Sequence, residues 1–92
     1  MRIMTRIEPT GAVTLLVAGT FNAVGVADFD RALEDAHRLH QPVVLDLSAV
    51  RLIDRPTLKY LIDLMEHDVD LVICPDFVEH WIYRESARER IE

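Results

Sequence analysis

The sequence predicts an α/β domain, an open mixed β-sheet of about four strands with helices packed against it, in the order β-β-α-β-α-β-α. Three observations carry that prediction. Residues 43–47, VVLDL, form a short apolar, β-branched run entered through Gln41-Pro42. Just beyond it, Asp54 and Pro56 give a helix-start signal, and Leu58, Leu61, Ile62 and Met65 then recur at i, i+3, i+4 and i+7. Strands also alternate with helices on either side of this stretch, and parallel strands joined through helices require right-handed crossovers.

At the N-terminus, Ile3, Met4 and Ile7 fit a poorly patterned edge strand, closed by the turn residues Glu8-Pro9-Thr10-Gly11. Val13 to Ala18, VTLLVA, is apolar enough for a central strand, and Gly19-Thr20-Phe21-Asn22 ends it. Asp28 then offers an N-cap for a helix reaching about Leu39, with Phe29, Ala32, Leu33, Ala36 and Leu39 on one stripe. The 43–47 strand is apolar on both faces, which suits a sheet covered on both sides, although a run so short also suits a one-sided sheet. Asp46 reads as a strand-end cap and Ser48 as a turn residue. Asp54 caps the 55–66 helix, whose Lys59, Asp63 and Glu66 lie off the apolar stripe. Val69 to Cys74 is a further strand stopped by Pro75, and Asp76 caps a third helix carrying Phe77, Val78, Trp81 and Ile82. The closing RESARERIE is too polar for core and extends or frays that helix.

Ninety-two residues make one domain, spanning 1–92, which buries roughly 60 to 65% of its unfolded surface. Half the residues are hydrophobic and 28% are charged, a composition that folds rather than stays disordered. No apolar run reaches the roughly 18 to 20 residues needed to cross a bilayer, and Arg6 and Glu8 interrupt any signal-peptide reading; the expectation is a cytoplasmic protein. Cys74 is the single cysteine, which excludes an intrachain disulfide and a cysteine-based zinc site. The net charge of −6 disfavours phosphate backbones and anionic lipid, so nucleic acid is not an expected partner. His37 and His40 stand at i, i+3 without a third ligand and read as a surface pair. Gly11, Gly19 and Gly25 form no phosphate loop, and nothing supplies a nucleophile elbow, so no cofactor, metal or catalytic residue is expected.

Over residues 13–83 the chain resembles a STAS domain, the module of bacterial anti-sigma-factor antagonists, stressosome proteins and anion-transporter tails. That pattern is an apolar strand ending in Gly-x-x-Asp, a helix, a strand ending in an Asp-Leu-Ser-like turn, then Ile-Asp-Ser-Ser-Gly-Leu opening a helix. The corresponding places here are Leu16 to Asn22, Val43 to Ser48, and Leu52-Ile53-Asp54-Arg55-Pro56-Thr57-Leu58. The resemblance implies a non-catalytic protein-interaction module in bacterial regulation, with an anti-sigma or ATPase-type protein as partner. It also admits a structural subunit that binds a transporter ATPase. A small-ligand module is a further reading, motivated by Asn22, Asp46 and Asp54 gathering near one sheet edge.

The departures matter most. Arg55 stands where phosphorylatable members carry the acceptor serine, Pro56 replaces the second serine, Thr57 takes the glycine position, and Asn22 replaces the aspartate. Arg55 has no hydroxyl and keeps a positive charge, so it cannot imitate a phosphorylated residue. Thr57 is the one hydroxyl left in the motif, hence the candidate phosphorylation site. Asp54, Arg55, Thr57, Lys59 and Asn22 are the candidate partner-binding residues. A capped helix start with solvated basic side chains accounts for them without any function, but Arg55 and Lys59 oppose the helix dipole by about 0.3 to 1 kcal/mol. An acidic patch on a partner would offset that. The chain is also short for such a domain, which leaves Trp81 and Tyr83 as a candidate uncovered face for self-association.

Overall fold

The computed structural model describes residues 1–90. It is an α/β fold in the predicted order: β1 (Arg2–Ile7), β2 (Val13–Phe21), α1 (Ala23–His37), β3 (Val43–Ile53), α2 (Arg55–His67), β4 (Leu71–Ile73) and α3 (Asp76–Arg90). The four strands form one mixed sheet in the order β1-β2-β3-β4. β1 runs antiparallel to β2, while β2–β3 and β3–β4 are parallel. Because each crossover steps the same way along the sheet, right-handedness places α1 and α2 on one face.

That face is the core. Val13, Leu15 and Val17 of β2 alternate with Val43, Leu45 and Leu47 of β3 as fully buried residues, and Phe29, Leu33, Leu58, Leu61 and Val78 pack into the same cluster. The other face is open, with Met4, Leu71 and Ile73 exposed and a shallow groove among Arg2, Met4, Leu16, Asp46 and Ser48. The sheet is therefore one-sided.

Several boundaries differ from the sequence reading, each for a tertiary reason. α1 begins at Ala23, five residues before the expected Asp28 cap, because Asn22 adopts extended backbone and its Oδ1 accepts from Val24 N–H at 3.1 Å. Asp28 lies inside the helix. β3 continues to Ile53, since Ala49 to Ile53 pair with the second half of β2 through a bulge beside Gly19, whose φ of +87° suits glycine. Asp46 is consequently mid-strand rather than a strand-end cap, and its Oδ1 accepts from both Ser48 N–H and Ser48 Oγ–H. β4 shrinks to Leu71–Ile73, opposite Val44 to Asp46. Asp76 is the first residue of α3, not its cap; the Pro75 carbonyl accepts from Val78 and Glu79 N–H.

Two side-chain bonds fasten α1 to α2 along their length. Tyr60 Oη–H donates to Asp30 Oδ1, and burial, with Asp30 second, pushes the phenol well above its ordinary value. His37 Nε2–H donates to the Asp68 carbonyl at 2.6 Å, so this histidine ties the two helix ends rather than facing His40 across a metal. Among the described residues no three histidine, cysteine or acidic side chains are grouped to hold a metal, and no helix is long and apolar enough to cross a membrane. Cys74 is half-buried, and burial first, then Glu79, raises its thiol pKa.

Candidate functional site

The helix starts of α1 and α2 meet where the parallel strands β2 and β3 end, and a single carboxylate serves both. Asp54 Oδ1 accepts from Thr57 N–H at 2.9 Å, the expected N-cap bond, while Oδ2 accepts from Ala23 N–H of α1 at 3.3 Å. Its own N–H reaches the Phe21 carbonyl, so the backbone of β2's last residue joins the arrangement. Thr57 does most to hold the Asp54 carboxyl below its ordinary range; burial opposes it, and the Thr57 and Ala23 N–H groups add smaller lowering effects. Asn22 thus caps α1 as Asp54 caps α2. Both are committed to the fold first.

Thr57 does not behave as the sequence suggested. It is 1% exposed, and its Oγ1 is buried with no partner in hydrogen-bond geometry, although it lies close enough to the Asp54 carboxylate to favour its charged form. A hydroxyl closed off in this way is not presented to a kinase or to a partner surface. Thr57 is therefore removed from the candidate phosphorylation and partner-contact residues.

Arg55 is the larger surprise. Its Nη2 stands 3.4 Å from Oε2 of Glu85 on α3, and Glu85 is only 5% exposed. The acid that offsets a cation at this helix start comes from within the chain, not from a partner. About half of the Arg55 side chain still faces water. Lys59, one turn further along α2, is exposed and has no ion-pair partner among the described residues.

Two residues the sequence reading passed over complete this end. Val24, in the first turn of α1, is 88% exposed, and Leu52, near the end of β3, is 64% exposed. Both looked like ordinary apolar positions; only correct boundaries for α1 and β3 would have put them outside the core. Arg51, Arg55, Pro56 and Lys59, close to Leu52 in the sequence, are exposed as well.

The remaining expectations separate. Asp46 faces the open side of the sheet beside Leu16, remote from Asn22 and Asp54, so the three do not form one polar edge and that basis for a ligand site falls away. Trp81 packs partly into the core, whereas Tyr83 is 74% exposed, so the two do not share an uncovered aromatic face. A hollow along α3 is lined by Asp76, Phe77, Glu79, His80 and Tyr83, none of them on α1 or α2.

No protein-family model matches the chain, and no curated protein matches it. Among solved structures it is similar to the crystal structure of Mglu, with a TM-score of 0.60 and 26% identity over 79% of this chain. The chain spans 19% of the length of Mglu, so the likeness is to one part of a larger protein. It supports the α/β fold described above.

Proposed function

We propose that this domain is a non-catalytic, STAS-like protein-interaction module of bacterial regulation, working in the cytoplasm and docking an anti-sigma or ATPase-type partner at the shared start of α1 and α2. The observation that carries the reading is that this end of the fold leaves Val24 and Leu52 largely exposed and Arg55 half-exposed, with Lys59 exposed and without an ion-pair partner among the described residues. Exposed apolar side chains and exposed cations at one end of a domain suit a partner surface that offers apolar contact together with acidic groups. The departures at the acceptor position support constitutive binding rather than binding switched by phosphate. Arg55 has no hydroxyl, and the Thr57 hydroxyl is buried.

The test is co-purification from the native host, comparing the wild type with Lys59→Glu and Leu52→Asp. Each should weaken recovery of the partner several-fold while moving the melting temperature by no more than a degree or two, as for surface substitutions generally. Recovery unchanged by both variants sinks the reading. Arg55→Glu is a poor probe, because it also strands the buried carboxylate of Glu85.

A further inference from the structure

We propose that α3 is a detachable strap fastened at the start of α2 by the Glu85–Arg55 pair, and that its release frees Arg55 for an acidic partner. The inner side of α3 is the stripe Val78, Trp81, Ile82 and Glu85, at i, i+3, i+4 and i+7. Val78 is fully buried, while Trp81 and Ile82 are only partly buried. Where a fourth apolar side chain would finish the seam, the chain places a carboxylate that is 5% exposed. Among the described residues its bond to Arg55 is the one side-chain hydrogen bond linking α3 to the rest of the molecule.

A buried carboxylate is tolerated only while it is paired. Here the partner is a long side chain half in water, a kind of pair that salt screens and that contributes little by itself. Docking of α3 is therefore conditional on Arg55 staying in place. Any carboxylate brought to Arg55 from outside competes with Glu85, and by linkage the two occupants of Arg55 weaken one another. The consequence for a partner rests on the docking surface proposed above. The strap itself is a property of the isolated chain, and either proposal can fail while the other stands.

Amide exchange of the full chain at residues 78–85, read against β2 and β3, tests it together with acrylamide quenching of Trp81, the single tryptophan. In the wild type, α3 should exchange at least tenfold faster than the central strands. Arg55→Gln should raise α3 exchange and Trp81 quenching further with strand exchange unchanged. Glu85→Leu, which completes the apolar seam, should slow α3 exchange at least tenfold and needs no ion pair to fold. Exchange of α3 in step with the strands in the wild type, or α3 exchange indifferent to Glu85→Leu, overturns the proposal.

Discussion

α2 and α3 are helices of similar length, 13 and 15 residues, yet they are held in opposite ways. α2 starts on its own aspartate and buries Thr57, Leu58, Leu61, Ile62 and Leu64. α3 starts on a proline carbonyl, buries Val78 completely, and ends its inner stripe on a paired acid. The contrast shows how a small sheet can hold one helix by an apolar stripe alone and another by a shorter stripe completed with an ion pair. The first buries five side chains in the core, and the second packs Val78, Trp81 and Ile82 against it and adds one ion pair whose partner is shared with the surface.

Truncations into the core should separate the two helices most clearly. Leu61→Ala removes a fully buried side chain from α2 and should lower global stability by about 2 to 5 kcal/mol, seen as a reduced urea midpoint with unchanged slope. Val78→Ala, at an equally buried place on α3, should move that midpoint far less and chiefly speed exchange within α3. Equal shifts of the two midpoints would merge the helices into one cooperative unit.

The caps come next. Asp54→Ala leaves the α2 start and Ala23 N–H without their acceptor, at a cost of about 0.5 to 2 kcal/mol in chemical denaturation. Because folding lowers the Asp54 pKa, its contribution is complete above the ordinary carboxyl range and is lost as the pH falls below about 5. Asp54→Asn keeps an acceptor without the charge, so its stability should fall less steeply than the wild type's over that acid range in urea melts.

The smallest effect is at Thr57. Its hydroxyl lacks a partner in hydrogen-bond geometry but favours the charged form of the Asp54 carboxylate, so Thr57→Val, which puts a methyl of the same shape in its place, should change stability by less than about 1 kcal/mol near neutral pH and raise the Asp54 pKa. Thr57→Ser, which keeps the hydroxyl and loses the methyl, should destabilise. A loss well above that in the valine variant would show that the hydroxyl does have a partner in solution.

What could be read from the sequence follows the range of the interactions. The α2 cap and its stripe were legible because Asp54, Pro56 and the recurring leucines act within one or two turns. The start of α1 was not, since Val24, Gly25 and Val26 are weak helix formers and Ala23 N–H is met by an aspartate 31 residues on, just past the end of β3. The second half of β3 reads as a loop until β2 is beside it. Arg55 announced itself as a cation in the wrong place for the dipole, but nothing local could say that its acid lies on α3. Val24 and Leu52 stayed hidden for the opposite reason, because an apolar residue next to a strand looks like core.

The parallel pairing of β2 with β3 has a kinetic corollary. Val13 meets Val43 and Phe21 meets Ile53 only once all of α1 lies between them as a closed loop, so the central pair cannot zip from a hairpin as β1 and β2 can. Closing that loop should set the pace of folding. Substitutions at Leu15 or Leu45 should slow the refolding arm, whereas changes along α3, expected to dock after the sheet forms, should leave the rate of refolding nearly untouched and appear in unfolding alone.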